Sequence, residues 1–337
     1  MEPLQKKLLA IELWGLGDLI IATPFLQAAS RRYSVTLLAK PYAKDLGSRF
    51  WPEVKVVPFV APWTAFQQKY RLYAWPWQRI FQLRKLRREH FDIGISARWD
   101  PRDHFLLKLA RVRMRLGYPR ILSQMFLNRP LARPDPAAHR YEYWRTVGTA
   151  LDLDLPTWKA LPSRWMRRPG KVLIHSGAGQ PVRVWPLERY QAVVARLRKL
   201  GHTVQVACDP DQHDWWRRNG EAGVATPRSV SQLLGVIDEA VVFIGNDSGP
   251  AHLAAYCGIP TFTLFGPQLP ERFAPLHPAG ECLEGKPCPY KPCSDYCRFE
   301  VPYCIVNWSE EEVWVRLVAF LSRTLPLPAA QIRTDSE

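Results

Sequence analysis

The chain has 337 residues, of which 47% are hydrophobic and 23% charged; this is ordinary for a soluble globular protein and enough for two domains with cores of their own. No apolar run reaches the roughly 18 residues that a membrane-spanning helix needs, and Glu12 and Asp18 interrupt the apolar start, so we expect no signal peptide. The net charge of +15 lies in the first half: residues 1–165 hold 28 Lys and Arg against 13 Asp and Glu, and residues 166–337 hold 18 of each.

The uneven charge predicts an anionic partner for the first half of the chain. A basic domain beside a neutral one suits a phosphorylated glycolipid, an anionic membrane surface or nucleic acid; a basic surface that serves only solubility is the alternative. No nucleic-acid-binding motif is recognisable, so we expect no nucleic-acid partner. We expect a cytoplasmic location.

The predicted elements of the first half alternate between strand and helix. They are a strand over 8–13, a loop over 14–18, a helix over 19–30, strands over 35–39, 54–57 and 93–96, and a helix over 104–116. This order predicts a parallel sheet with helices on both faces.

After a proline-containing stretch at 152–170, the pattern begins again. Strands are predicted over 172–175, 204–207, 240–245 and 259–265, and helices over 187–200, 230–237, 251–257 and 313–321. The expected fold class is therefore α/β, with two doubly wound, Rossmann-like domains: residues 1–155, a linker at 156–170, and residues 171–337.

The segment 243–267 predicts a site for an anionic ligand. A buried strand leads into turn and N-cap residues, and the helix that follows begins at Ser248 and Gly249, with Pro250 at a position where its missing N–H costs nothing. The free N–H groups and positive dipole end of such a helix attract phosphate. Asp247 and His252 lie at the same end, which indicates a nucleotide-linked ligand. An ordinary strand-to-helix crossover is the alternative.

Two stretches carry a family resemblance. Residues 247–267, D-S-G-P-A-H-L-A-A-x-x-G-I-P-T-x-x-L-F-G-P, resemble the donor-site segment of the bacterial heptosyltransferases of lipopolysaccharide synthesis, glycosyltransferase family nine. Residues 8–26, L-L-A-I-E-L-W-G-L-G-D-L-I-I-A-T-P-F-L, resemble the amino-terminal motif of that family. The resemblance is moderate at 172–190 and 287–315 and weak over 50–165.

The resemblance implies the GT-B fold, in which an acceptor-binding first domain and a donor-binding second domain face each other across a cleft. It implies an inverting transferase that moves heptose from the nucleotide sugar ADP-heptose to a lipopolysaccharide core or a related anionic glycolipid. It also implies peripheral contact with the cytoplasmic face of the inner membrane. The identity of the sugar, the acceptor hydroxyl and the linkage stay open.

Asp18 is the candidate catalytic residue. It follows the first predicted strand, and ligands of open α/β sheets collect at the carboxyl ends of strands. The resemblance implies that Asp18 is the general base, a carboxylate within hydrogen-bond reach of an acceptor hydroxyl. Simple capping of the next helix is the alternative. Gly15-Leu16-Gly17 lacks the third glycine of a dinucleotide fingerprint.

The other donor-binding candidates lie in the second half. Gly177, in a loop of small residues, allows close approach of a ligand, and Arg183 occupies the position where the family often has Lys in a basic-x-Trp-Pro element that contacts phosphate. Asp211 or Asp214 is implied near the ribose. The resemblance further implies that Ser248 and Gly249 offer N–H groups to the diphosphate, that His252 donates to a phosphate or stabilises the helix start, and that Asp247 accepts from sugar hydroxyls. A buried, hydrogen-bonded histidine is the alternative for His252.

The acceptor-binding candidates are arginines of the first half. Arg98 and Arg102 are chosen, with Arg111, Arg113 and Arg115 as further possibilities, because guanidinium groups bind phosphate and carboxylate well. The aromatic-rich segment 58–81 suits either a lipid interface or a packed core.

Four of the seven cysteines lie close together in the sequence and bear on the question of a metal. Cys288, Cys293, Cys297 and Cys304 form a cluster that lacks the usual Cys-x₂-Cys pair of a zinc site, so reduced structural thiols are preferred and zinc stays an alternative. No cofactor or metal is expected if Arg183 and the helix start hold the diphosphate. A nucleotide-sugar epimerase and a non-catalytic nucleotide- or membrane-binding protein are the alternative functions.

Overall fold

The computed structural model describes residues 5–64, 77–157, 169–293 and 296–325, and for 77–81 it describes the backbone alone. The chain divides into two compact units, Met1–Pro156 and Thr157–Glu337. Residues 158–168, most of the predicted linker, lie outside the described residues, as do residues 65–76 of the aromatic-rich segment.

The first unit is a six-stranded parallel sheet in the order β3-β2-β1-β4-β5-β6. Its strands are β1 Lys7–Glu12, β2 Ser34–Ala39, β3 Lys55–Pro58, β4 Ile93–Ser96, β5 Met114–Gly117 and β6 Arg129–Pro130. Its helices are α1 Leu16–Ser30, α2 Ala43–Phe50, α3 Trp77–Arg88, α4 Pro101–Leu109 and α5 Arg140–Thr149. Five of the six residues of β1 are buried, as expected of a central parallel strand covered on both faces.

The second unit is a five-stranded parallel sheet in the order β11-β10-β9-β7-β8. Its strands are β7 Lys171–His175, β8 Val204–Ala207, β9 Ala240–Asn246, β10 Thr261–Leu264 and β11 Glu281–Leu283. Its helices are α6 Leu187–Lys199, α7 His213–Arg218, α8 Val230–Asp238, α9 Gly249–Tyr256, α10 Pro270–Phe273, α11 Tyr303–Val306 and α12 Glu310–Thr324. Every residue of the central strand β9 is buried.

Most predicted elements are confirmed to within a few residues. The predicted helix ends at Gly201 and Gly258 are confirmed, and both glycines have φ near +84°, where a side chain would be strained. The predicted loop over 14–18 is wrong in part, because α1 begins at Leu16 and Asp18 lies in its first turn.

The predicted helix over 104–116 is confirmed for 104–109, which belong to α4, and is wrong beyond Leu109. Asp100 accepts a hydrogen bond from the Arg102 N–H and Pro101 takes the first helical position, so α4 begins earlier than predicted. Arg111, at φ +55°, then breaks the helical path, and residues 114–116 of strand β5 pair with β4. Within the described ranges, no helix has both the length and the apolar character to cross a bilayer.

Candidate active site

Asp18 lies where the first strand of the first unit ends. It is the third residue of α1, and its Oδ2 accepts a hydrogen bond from the Gly15 N–H at 3.2 Å, which closes the first turn. Its Oδ1 forms an ion pair with Arg98 Nη2 and lies 4.0 Å from Arg140 Nε. Asp18 therefore caps the helix and also faces two arginines, so the capping alternative and the functional reading are not exclusive.

A buried carboxylate, Glu12, shares Arg98 with Asp18. Glu12 Oε1 lies 3.4 Å from Arg98 Nε and accepts a hydrogen bond from the Trp14 N–H, while the guanidinium carbon of Arg98 lies 4.6 Å from the centroid of the Trp14 ring. Burial raises the pKa of Glu12, and the charge of Arg98 opposes that shift. Burial opposes the charged form of Arg98 too, but the carboxylates of Asp18 and Glu12 outweigh it and raise the pKa of Arg98.

Further polar groups surround this pair of acids. Lys40 Nζ donates to the Thr64 carbonyl at 3.0 Å, and the Tyr42 hydroxyl donates to the Trp14 carbonyl at 3.0 Å. Arg140 Nη1 donates to the Ala97 carbonyl. Burial lowers the pKa of Lys40 and of Arg140 and raises that of Tyr42. The side chain of Asp18 therefore lies among basic groups that are held by the backbone.

The two acceptor candidates have different environments. Arg98 forms ion pairs with Asp18 and Glu12, so its guanidinium already faces two carboxylates of the protein. Arg102 is half exposed, bonds the Asp100 carboxylate through Nε at 2.8 Å and Nη2 at 2.6 Å, and stacks 5.2 Å from the Trp63 ring. Of the further arginines, Arg115 donates to the carbonyls of Phe126 and Val112 and is a structural residue.

Asp103, which sequence reasoning did not select, is a buried acid on α4 beneath this cluster. The Ser96 hydroxyl donates to its Oδ2 at 3.0 Å, and burial raises its pKa to about 8. A carboxyl with a raised pKa stabilises the fold most below its unfolded pKa, and this stabilisation is lost as the pH rises towards the folded pKa.

We expect Asp103→Asn to become progressively more stable than the unchanged protein between pH 4 and 8, by at most about 1.4 kcal/mol per pH unit. The amide resembles the protonated acid and has no charge to bury. Thermal unfolding across this pH range measures the difference. Asp135→Asn, at an exposed position of the same unit, should follow the unchanged protein. A constant difference between Asp103→Asn and the unchanged protein would contradict the assignment.

In the second unit, the residues of the predicted phosphate site lie where β9 ends and α9 begins. Ser248 is the N-cap of α9, and among the described residues its buried hydroxyl has no hydrogen-bond partner. Asp247 is buried and its Oδ2 lies 3.2 Å from Arg183 Nη1. His252 is buried in the first turn of α9, which also contains Gly249. The structure thus brings together four donor candidates of the 247–252 segment and the predicted basic residue.

Asn246 joins three loops of this site. Its Oδ1 accepts hydrogen bonds from the Trp185 N–H at 3.1 Å and the Tyr190 hydroxyl at 2.9 Å, and its Nδ2 donates to the Ser176 carbonyl at 2.8 Å. Sequence reasoning treated Asn246 only as a turn residue. The sequence did place Asn246 at the end of a buried strand. Because a buried amide needs several hydrogen-bond partners, this position could have indicated that Asn246 links neighbouring segments.

Trp185 fixes the turn that carries Arg183. Its ring is buried, and its Nε1 donates to the Trp308 carbonyl at 2.9 Å, while Arg189 Nη1 donates to the same carbonyl at 2.5 Å. Together with the Asn246 bond, these contacts fix both the backbone and the ring of Trp185 in the basic-x-Trp-Pro element. Arg183 is therefore presented from a supported turn.

The structure gives a reason for glycine at position 177 that differs from the predicted close approach of a ligand. A Cβ at Gly177 would lie 2.3 Å from the carboxyl carbon of Asp209, so glycine is required by that side chain. Burial raises the pKa of Asp209, although His175 and an N–H of Ala178 oppose this. Asp211 and Asp214 are both exposed, and Asp214 lies 3.2 Å from His213 Nδ1. Asp209, within the same predicted segment, is the acid that faces the loop.

The cysteine cluster lines one small cavity. Cys288, Cys293, Cys297 and Cys304 surround it together with Val182 and Pro267, the first of which is next to Arg183. All seven cysteines are free thiols. Within the described ranges, no three or more His, Cys, Asp or Glu side chains are arranged to hold a metal ion.

Comparison with known proteins identifies relatives for both units. A family model described as glycosyltransferase family 9 (heptosyltransferase) matches residues 80–301. The lipopolysaccharide heptosyltransferase 3 of Escherichia coli K12 is 33% identical over 104 residues, which are 28% of this chain and 30% of that protein. The chain thus aligns with less than a third of the length of this curated relative.

Solved structures resemble the chain over nearly its whole length. The ADP-heptose lipopolysaccharide heptosyltransferase II of E. coli has a TM-score of 0.69 and 19% identity, covering 94% of this chain and 99% of that chain. The E. coli heptosyltransferase WaaC, solved with ADP, has a TM-score of 0.72 and 15% identity, covering 93% and 99%. The expected GT-B fold class, with two parallel-sheet α/β domains, is confirmed by these likenesses.

Proposed function

Because the chain belongs to glycosyltransferase family 9, the heptosyltransferases, we propose that it transfers heptose from ADP-heptose to a lipopolysaccharide core or a related anionic glycolipid. The family named from the two motifs is confirmed by this match, which includes the 247–267 motif; the 8–26 motif lies outside the matched residues. The donor is supported by the E. coli relative that was solved with ADP, and the acceptor by the curated heptosyltransferase 3. The basic charge of the first half suits a phosphorylated acceptor.

The arrangement at the start of α9 is the observation that supports the donor site best. A buried Ser248 hydroxyl without a partner among the described residues lies at a helix N-terminus, beside the arginine held by Asp247. A buried polar group that lacks a partner is costly, and a phosphate oxygen that accepts from it removes that cost. In this proposal Ser248 and Gly249 offer N–H groups to the diphosphate and Arg183 offsets its charge. Gly177, together with Asp211 or Asp214, lies near the nucleoside.

The proposed reaction is a single displacement. Asp18 takes the proton of the acceptor hydroxyl, the oxygen forms a bond to the anomeric carbon, and the bond from that carbon to the phosphate oxygen breaks. ADP leaves with the electron pair, and the anomeric configuration inverts. Arg98, which Glu12 also binds, holds the Asp18 carboxylate in place. Arg102 is proposed to meet an anionic group of the acceptor.

The charge that develops on the leaving diphosphate needs stabilisation. Arg183 and the positive end of α9 supply it in this proposal, so transfer does not require a metal ion. The same proposal gives the protein a cytoplasmic location with peripheral contact to the inner membrane, where a lipid-linked acceptor is available.

Isothermal titration of the full chain with ADP, UDP, GDP and ADP-heptose, in the presence of a chelator, tests the donor site. We expect micromolar binding of ADP and ADP-heptose and much weaker binding of the other two nucleotides. A preference for UDP or GDP would keep the fold and overturn the donor. Binding of none of them would favour a non-catalytic protein.

A further inference from the structure

The first unit exposes an apolar cluster on the short 3-10 turn Ile121–Phe126 that follows β5. Ile121, Leu122 and Met125 are 75%, 69% and 61% exposed, and Phe105 of the neighbouring helix α4 is also exposed. Phe105 and Phe126 have ring centroids 5.3 Å apart, so the two elements form one continuous surface, here called the apolar turn surface. Contiguous exposed apolar side chains of this kind mark interaction sites.

The turn is held firmly, with its polar side chain inside. Ser123 is buried, its hydroxyl accepts from the Arg120 N–H at 2.9 Å, and it lies 3.0 Å from Nδ1 of the buried His104. The apolar residues on either side of Ser123 point outward. This is the reverse of the pattern of an ordinary surface turn, in which apolar side chains are buried.

The backbone of Ile121 is strained, although the exposed side chain gains no packing energy in return. Ile121 has φ +55°, and a β-branched residue in the left-handed region is a genuine outlier. The side chain is exposed, so packing inside the protein does not repay the strain. Strain of this kind clusters at functional positions.

The surroundings of the surface are basic. From His104 to Pro134 the chain has no Asp or Glu and seven Lys or Arg. The exposed members are Lys108, Arg111, Arg113, Arg120, Arg129 and Arg133. Lys108 Nζ lies 5.4 Å from the Phe126 ring, so charge directly adjoins the apolar side chains. Apolar residues that enter the acyl boundary, ringed by bases that meet anionic headgroups, are typical of peripheral membrane binding.

We propose that the apolar turn surface docks on an anionic lipid bilayer, with Ile121, Leu122 and Met125 inserted and the surrounding bases on lipid phosphates. The inference rests on the proposed function for the choice of a membrane as partner.

The turn also lies close to the proposed base, Asp18. Strands β1, β4 and β5 are neighbours in the sheet, so the ends of β1 and β5 are about 10 Å apart. His104, which lies against Ser123, is 3.1 Å through Nε2 from the Arg98 carbonyl.

Vesicle co-sedimentation of the full chain tests the proposal. We expect binding to vesicles that contain phosphatidylglycerol, weaker binding to pure phosphatidylcholine vesicles, and loss of binding at high salt. The triple variant Ile121→Ser/Leu122→Ser/Met125→Ser should bind at least tenfold more weakly. Val315→Ser/Val318→Ser, which removes two exposed apolar side chains from α12 of the second unit, should bind like the unchanged protein.

A single variant separates binding from folding. Ile121→Gly removes the strain at φ +55°, so its thermal midpoint should rise while its vesicle binding falls. A variant that binds less and is more stable cannot owe the loss to unfolding. Equal binding of the triple variant and the unchanged protein would overturn the proposal, and so would a failure of the unchanged protein to bind phosphatidylglycerol vesicles at low salt.

Self-association is the competing use of the same surface. If sedimentation velocity shows a dimer that the triple variant converts to a monomer, a second copy of the chain is the partner and the membrane proposal fails. The vesicles contain neither nucleotide sugar nor acceptor, so these results do not depend on transfer activity. Failure of ADP binding would overturn the proposed donor and leave vesicle binding unaffected.

Discussion

Asparagine in place of Asp18 is expected to lower kcat for heptose transfer by about 10²- to 10⁴-fold, the usual contribution of a positioned general base. The amide keeps the shape of the side chain and can still accept from the Gly15 N–H, so α1 should remain capped. It cannot take a proton from the acceptor hydroxyl. Initial rates with saturating donor and acceptor measure the effect.

The same variant should leave the donor site intact. Asp18 belongs to the first unit, whereas the residues proposed to bind the diphosphate belong to the second, so the Kd for ADP should change by less than about twofold. Asp45→Asn is the matched control, because Asp45 lies in the first turn of α2 just as Asp18 lies in that of α1. Full activity of Asp18→Asn would remove Asp18 as the base.

The sequence identified Arg98 as a candidate, but it did not reveal that Arg98 pairs with Asp18 and with the buried Glu12. Glu12 is the last residue of β1, and Arg98 lies two residues past the end of β4. The register of β1 with β4 pairs Ile11 with Ser96, so the two residues lie at adjacent strand ends. They are 86 positions apart in the chain. The local motif identified Asp18. Only the pairing of β1 with β4 shows that the buried Glu12 and Asp18 share Arg98.

Strand register also determines the side-chain contacts at the candidate site of the second unit. His175 pairs with Ala207 in β8, so Gly177 and Asp209 are each two residues past a paired position, and the glycine is required by the acid opposite. His175 also pairs with Gly245, which puts Ser176 beside Asn246. Periodicity predicted the strands well because burial determines it, whereas contacts across a sheet edge depend on register.

The error in the second half of the predicted helix over 104–116 has a different physical cause. Its apolar spacing fits a helix as well as a helix followed by a short buried strand, and periodicity alone does not separate the two. The break at Arg111 involves a positive φ in a residue type that does not usually adopt it. No glycine or proline marks the break, so the sequence carried no signal for it.

Alanine in place of Arg183 is expected to weaken ADP binding by about 1.5 to 3 kcal/mol, the range for a hydrogen bond to a charged group, or roughly 10- to 150-fold in Kd. Arg183→Lys keeps the charge but loses the fork geometry, so its loss should be smaller. Arg316→Ala, at an exposed position of α12, should bind ADP like the unchanged protein. Isothermal titration with ADP measures all three.

A second effect could mimic this result, because Arg183 also balances the buried Asp247 carboxylate. Without Arg183, an unbalanced negative charge would remain near the proposed phosphate site and repel ADP. The double variant Arg183→Ala/Asp247→Asn separates the two effects, and ADP lacks the heptose whose hydroxyls Asp247 is proposed to contact. If Arg183 binds phosphate directly, the double variant should stay as weak as Arg183→Ala. Recovery of ADP affinity would instead show that Arg183 acts only by neutralising Asp247, and that the helix start of α9 binds the diphosphate without it.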